Sequence, residues 1–246
     1  MAIAVTGGTK GIGLAIALRF SQPGNDVFVN YHSDEAAAAL AVRRIEERGA
    51  TAHAVRADVG TPGGVRRLMA AVAERVDRLD QLVHCAVRVV PGPALDADPE
   101  AFAAAVHLNG TTLHHLVQAA LPLLQSGSTV FYISSRGGRA VLPGYASVGV
   151  AKALGESLVR YLATELAPRG VRINAVAPGA VDTEAFRAVF GAASEDVLAQ
   201  SVATNPSGRM VTDDDYTALV EFLSRPEAAM IQGQVIFVNG GQNLMA

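Results

Sequence analysis

The amino-acid sequence predicts an α/β fold: a single-domain, doubly wound sheet of about seven parallel strands with helices on both faces. Three observations carry this. Short β-rich runs alternate with longer helical patterns along the whole chain, and this repetition implies parallel pairing through right-handed crossovers. A glycine cluster joins the first apolar run to the first helical pattern. Half of the residues are hydrophobic and only 17% are charged, which suits a filled globular interior.

The first strand falls at Ile3–Val5, with a helix over Gly11–Phe20 behind it. Asp26–Tyr31 is the second strand, followed by a helical pattern at Asp34–Arg48; Thr51–Arg56 is the third, followed by one at Pro62–Val76. Gln81–Cys85 leads into a long helix over Pro99–Leu124, and Thr129–Ser134 into one over Gly144–Ala167. Val171–Val176, the Asp213–Ser224 helix and Gln234–Val238 complete the alternation. The one long irregular segment, Pro178–Met210, follows the sixth strand, where a loop at the carboxyl edge of the sheet covers a ligand; it is read as a substrate lid. One domain is expected across 1–246.

Composition narrows the function classes. With 20 basic and 23 acidic residues the net charge is −3, and no block of one sign is long enough to track a nucleic-acid backbone. Cys85 is the only cysteine, so neither an intrachain disulfide nor a cysteine-based zinc site is expected, and a reducing cytoplasm fits. The first strand begins almost at Met1, so no export leader is expected. His84, Cys85, His107, His114 and His115 lack metal-ligand spacing, and no metal is expected. Ala101–Ser135 carries no Asp, Glu, Lys or Arg, but histidines, Gln118, Pro122 and Gly127 interrupt it short of a membrane span. A helix without charge around its circumference needs neighbours on more than one side, which points to oligomerisation.

The segment Thr6-Gly7-Gly8-Thr9-Lys10-Gly11-Ile12-Gly13 follows an apolar strand and opens a helix. Its glycines permit a tight turn and close backbone approach, and the helix amino terminus offers free N–H groups to a pyrophosphate. Gly7, Thr9, Lys10, Gly11, Ile12 and Gly13 are therefore candidate dinucleotide contacts. The second strand ends Asn30-Tyr31-His32-Ser33 with no acid to take the ribose diol. Lys10 is placed to reach a 2′-phosphate with Asn30, His32 or Ser33 assisting, which favours NADPH (NADP+) over NADH; the plain alternative for Lys10 is a solvated surface lysine. Asp58, after the third strand, is either an adenine ligand or a helix-capping residue.

Tyr145, Ser135 and Lys152 form the candidate reaction centre. Tyr145 and Lys152 are seven residues apart, about two helical turns, so they face nearly one side of a helix. A tyrosine hydroxyl donates to a developing oxyanion, and a nearby ammonium lowers its pKa and hydrogen-bonds a cofactor ribose. Ser135 either contacts substrate or terminates the fifth strand. Phe186, Phe190 and Met210 in the lid either shape an apolar channel or anchor its packing.

The glycine turn, Ser134-Ser135, the Tyr and Lys helix, Arg172-Ile173-Asn174-Ala175-Val176-Ala177-Pro178-Gly179 and Val238-Asn239-Gly240-Gly241 together resemble the short-chain dehydrogenase/reductase family over the whole chain. The resemblance implies a Rossmann-type fold and adds Val59, Cys85, Ala86, Pro178, Gly179, Val181 and Thr183 to the cofactor contacts, with Thr183 on the nicotinamide carboxamide or a phosphate. Three positions depart from the family's usual pattern. Val148 stands four residues before Lys152 where the tyrosine is usual, His84-Cys85-Ala86-Val87 replaces Asn-Asn-Ala-Gly, and His107 replaces the helix-four asparagine.

Tyrosine, six residues, then lysine is the arrangement of a divergent branch, the enoyl-acyl-carrier-protein reductases, which do not rely on that asparagine. The run Tyr145 to Ala163, Gly208-Arg209-Met210-Val211 and Met230-Ile231-Gln232-Gly233-Gln234 resemble its NADPH-dependent type III members. The resemblance implies reduction of the C2=C3 double bond of an enoyl thioester, on acyl carrier protein or coenzyme A, in fatty acid or polyketide biosynthesis. It also implies a homotetramer assembled through helices around Phe102–Leu124 and Tyr145–Leu166. The competing readings are an NADPH-dependent carbonyl (keto) reductase of secondary metabolism and, outside enzymes, an NADP-binding sensor or scaffold.

Overall fold

Seven strands, β1 (Ala2–Thr6), β2 (Asp26–Tyr31), β3 (Thr51–Arg56), β4 (Gln81–His84), β5 (Thr129–Ile133), β6 (Arg172–Pro178) and β7 (Val235–Val238), form one sheet in a computed structural model that describes residues 1–242. Positions 243–246 of the expected domain lie outside the described residues. Every pairing is parallel and the order is β3-β2-β1-β4-β5-β6-β7. The order reverses between β1 and β4, so a crevice opens beyond their carboxyl ends, where doubly wound sheets bind ligands.

Alternation along the strands builds two cores. Ala2, Ala4, Val130 and Tyr132 face one side of the sheet, packing with α3 (Pro62–Ala73), α5 (Thr112–Ala120) and α6 (Ala146–Leu166) through Leu68, Leu116 and Val159. Ile3, Val5, Phe131 and Ile133 face the other, with α1 (Gly11–Arg19), α2 (Glu35–Glu46) and α9 (Asp213–Ser224) supplying Ile16, Ile45 and Tyr216.

Two expectations about local structure need correction. The long helix over Pro99–Leu124 is not continuous: α4 (Pro99–Val106) passes into a π-turn at His107–Thr111 before α5, which ends at Ala120. Side chains from outside take the carbonyls of that turn. The His84 ring bonds the Leu108 carbonyl at 3.0 Å, and the Tyr132 hydroxyl donates to the Asn109 carbonyl at 2.7 Å, so the regular ladder is locally displaced. The segment after β6 is likewise not irregular. It contains α7 (Glu184–Phe190), capped by the Thr183 hydroxyl, and α8 (Ser194–Ala203).

Candidate active site

The glycine turn is shaped to take a bulky group against its backbone. Gly7 and Gly11 have φ of +62° and +48°, which side-chain-bearing residues rarely adopt. A methyl group on Gly7 would stand 2.9 Å from the Ala86 Cα, so only glycine fits beside the loop leaving β4. At the start of α1, Lys10 is extended and provides no side-chain cap, and no acid stands in the first turn. The amino-terminal N–H groups and the positive end of the helix dipole therefore remain available to an anion. These features fit a dinucleotide pyrophosphate.

The loop after β4 is fixed by Thr6. Its hydroxyl oxygen accepts from the Cys85 and Ala86 N–H groups at 3.0 and 3.1 Å and lies 3.0 Å from His84 Nδ1. Because the Leu108 carbonyl can only accept, His84 carries its proton on Nε2, and Thr6 donates to Nδ1. Burial, helped by the charge of Lys152, pushes the His84 pKa down to about 3, so the ring is neutral. His84 thus ties β1, β4 and the π-turn together. Asn109 completes the frame: its Oδ1 accepts from the Arg88 N–H and its Nδ2 donates to the Arg88 carbonyl, both at 2.8 Å.

One cleft of about 980 Å³ runs along the carboxyl edge of the sheet. It is lined by Gly7, Thr9, Lys10, Gly11, Ile12 and Gly13 at one end, and by Tyr31, His32 and Ser33 beside them. Cys85 and Ala86 form its wall, and Pro178, Gly179, Val181 and Thr183 close over from β6. The Thr183 side chain lies against Gly11, so the residue both caps α7 and borders the glycine turn. Burial pushes the Cys85 thiol up to about 11, which keeps it protonated.

Several assigned residues sit differently from expectation. Asn30 is buried, its amide donating to the Val55 and Ala57 carbonyls at 3.2 and 2.9 Å, and is not free to assist at a phosphate. Lys10 is neither simply solvated nor unpaired: its ammonium lies 2.5 Å from Asp34 and 2.7 Å from Glu184, hydrogen bonds that raise its pKa. Asp34 is itself the cap of α2, accepting from the Ala37 N–H. Neither carboxylate was anticipated, because Asp34 reads as an ordinary helix start and Glu184 is distant in sequence. Asp58 and Val59 do not line the cleft. Asp58 turns back onto the Gly60 N–H at 2.9 Å, and the Val59 side chain is buried in the core. Met210 borders a separate cavity of about 550 Å³ beside β7, whereas Phe186 and Phe190 pack together with ring centres 4.7 Å apart on the cleft wall.

Ser135, Tyr145 and Lys152 do converge on the cleft. Ser135 follows β5, and Tyr145 is the residue that precedes α6. Burial raises the Tyr145 pKa, and the nearby Ser135 hydroxyl, which accepts from the Gly137 N–H at 3.2 Å, opposes this. The phenol therefore stays protonated at neutral pH and acts as a donor. Lys152 is 5% exposed; its ammonium donates to the Ile133 carbonyl at 2.7 Å and stands 4.8 Å from the centre of the Tyr132 ring. Desolvation lowers its pKa to about 8, against the pull of the buried carboxylate of Glu156. That carboxylate, not singled out from the sequence, accepts from the Ser134 hydroxyl at 2.7 Å and from Arg139 at 3.0 Å. Val148 is 1% exposed and offers nothing polar at the position where the family's tyrosine usually stands. His107 does not line the cleft; its ring lies 5.3 Å from that of His115.

Among the described residues no group of three or more His, Cys, Asp or Glu is placed to hold a metal ion, and no helix is long and apolar enough to cross a membrane.

The chain is similar over nearly its whole length to known oxidoreductases. A family model described as enoyl-(acyl carrier protein) reductase matches residues 7–243. The 1-cyclohexenylcarbonyl-CoA reductase of Streptomyces collinus is 32% identical over 242 residues, 98% of this chain and 86% of that protein. A short-chain dehydrogenase from Burkholderia cenocepacia, solved in complex with NADP, superimposes with a TM-score of 0.88 at 32% identity, covering 99% of this chain and 97% of the other. LugOII, a promiscuous reductase described as catalysing keto-reduction in lugdunomycin biosynthesis, gives a TM-score of 0.88 at 31% identity, with 99% and 98% covered.

Proposed function

Because this chain belongs to the short-chain dehydrogenase/reductase family, we propose that it reduces the C2=C3 double bond of an enoyl thioester, using NADPH. The observation that carries the reading is the placement of Tyr145. It is the phenol beside Ser135 in the cleft, seven residues before the buried Lys152, while the four-residue position is the buried Val148. The replacement of the family's helix-four asparagine by His107, which does not line the cleft, supports a reaction that does not need one.

When bound, the dinucleotide supplies the hydride taken by the β-carbon. The glycine turn and the start of α1 hold its pyrophosphate, and Lys10, His32 and Ser33 meet the 2′-phosphate once Lys10 leaves its carboxylates. Lys152 holds the nicotinamide ribose. Tyr145, protonated at neutral pH and flanked by Ser135, donates to the thioester oxygen as the enolate forms, and a proton taken up from solvent at the α-carbon completes the saturated thioester. Phe186 and Phe190 cover the acyl chain. The assembly we propose is a homotetramer, and its place of work the cytoplasm.

A second reading, carbonyl reduction, is favoured by the pairing of Ser135 and Tyr145 on one cleft wall, which serves a ketone oxygen equally well, and by the likeness to LugOII. The two separate on NADPH absorbance with crotonyl and acetoacetyl thioesters, each on coenzyme A and on acyl carrier protein. Consumption with crotonyl alone is expected; consumption with acetoacetyl alone moves Tyr145 to ketone chemistry. Tyr145→Phe should lower the rate by about 10²- to 10³-fold while NADPH still binds. A sensor would show turnover with neither substrate and no effect of that variant.

A further inference from the structure

We infer that Arg136 is an oxyanion-recognition residue, and that the substrate of this cleft carries a carboxylate or phosphate group in addition to its reacting acyl function. The inference rests on the acyl-thioester reading of the site and adds the charge class of what enters it. Arg136 directly follows Ser135, opens the short turn Arg136–Gly138 and lines the cleft together with Leu142 and Tyr145. It is partly buried rather than fully solvated.

The other two cations on the cleft wall are committed: Lys10 to Asp34 and Glu184, and Lys152 to the Ile133 carbonyl. Nearby, Arg139 is held by Glu156 and lies over the Phe237 ring. Among the described residues, Arg136 alone of the cleft-lining cations has neither a carboxylate within 4.0 Å nor a side-chain hydrogen bond. Asp196, an exposed carboxylate on α8, shares the cleft but is outside ion-pair reach of it.

A guanidinium held in a partly desolvated wall without a partner is poised for a planar oxyanion, which it binds through paired N–H groups. The cofactor does not supply that anion. Its phosphates belong at the glycine turn after β1, whereas Arg136 follows β5, two strands away in the sheet and about 10 Å distant at the usual strand spacing. The anion therefore comes with the substrate, either as a carboxylate on the acyl portion or as a phosphate on its carrier arm.

Calorimetric titration of the NADP+-loaded protein distinguishes these sources without requiring turnover. Three saturated probes serve: butyryl-N-acetylcysteamine, which is neutral; glutaryl-N-acetylcysteamine, which adds a carboxylate; and butyryl-coenzyme A, which adds phosphates. At least one anionic probe should bind about tenfold more tightly than the neutral one. In Arg136→Leu and Arg136→Gln that preference should vanish, with affinity for the neutral probe and for NADP+ unchanged. Equal affinities in the wild type, a preference that survives both substitutions, loss of NADP+ affinity, or no binding by any probe would each overturn the inference. Failure of the enoyl-reduction reading is scored separately, as absence of NADPH consumption with crotonyl thioesters.

Discussion

The phenol ring of Tyr145 lies directly against Gly137: a methyl group at 137 would stand 2.5 Å from both Cδ1 and Cε1 of the tyrosine. Gly149 packs on the same turn, since a methyl there would stand 2.7 Å from the Gly137 carbonyl oxygen. The turn after Ser135 therefore positions the phenol through bare backbone. Gly137→Ala should displace Tyr145 and lower kcat about 10²-fold, the usual penalty for an ångström-scale misplacement of a catalytic group. Steady-state kinetics paired with NADPH titration checks this. Unchanged kcat, or equal loss of cofactor affinity, would remove Gly137 from the positioning role.

Lys152 gives the reaction a basic limb. Desolvation holds its ammonium at about 8 rather than 10.5, so the free protein loses this charge as pH rises through about 8. The kcat/KM profile should therefore fall above about pH 8. Stability should move the opposite way. Between about 8 and 10.5 the unfolded chain binds the proton that the folded chain has released, so folding becomes more favourable as pH rises, by on the order of 3 kcal/mol across the window. Lys152→Met should abolish activity and flatten that rise, as denaturant titrations at about pH 7 and pH 10 would show. A flat kcat/KM profile through this range in the wild type would exclude a role for the ammonium.

How much of this was legible in the sequence depends on the range over which each signal acts. Strand and helix positions follow from local periodicity, and Asp26–Tyr31, Thr51–Arg56 and Asp213–Ser224 have the bounds that periodicity gives. The glycine turn and the spacing of Tyr145 and Lys152 are also local, and the cleft brings them together. The π-turn was not legible, because residues distant in sequence, His84 and Tyr132, take its carbonyls. Lys10 reads as free only because Glu184, 174 positions away, is invisible to any local pattern. Asp58 carries the right residue type in the right place, yet its own loop supplies a nearer N–H at Gly60.

The two carboxylates on Lys10 set the terms of cofactor choice. A 2′-phosphate must compete with Asp34 and Glu184 for one ammonium, all three groups being substantially solvent-exposed. Lys10→Ala should therefore weaken NADPH binding by about tenfold and leave NADH nearly unchanged. Glu184→Gln should do the reverse, tightening NADPH several-fold by removing one competitor while leaving the cap of α2 intact. Fluorescence titration with both dinucleotides reads the two ratios. Equal effects of Lys10→Ala on NADPH and NADH would place the 2′-phosphate elsewhere.

Assembly is argued from the outer face of α6. Val150 and Tyr161 are 50% and 69% exposed, and eleven residues bring the helix back to the same side after about three turns. Two large apolar groups aligned on the helix whose opposite face carries Lys152 give a subunit contact a direct route to the active site. The wild-type chain should elute with a four-chain mass in size-exclusion chromatography with light scattering. Val150→Glu combined with Tyr161→Arg should shift it to a smaller species and lower kcat, because α6 carries Lys152 and is preceded by Tyr145. A wild-type monomer would reject the tetramer outright. A double variant that keeps the four-chain mass would move the interface off this face of α6.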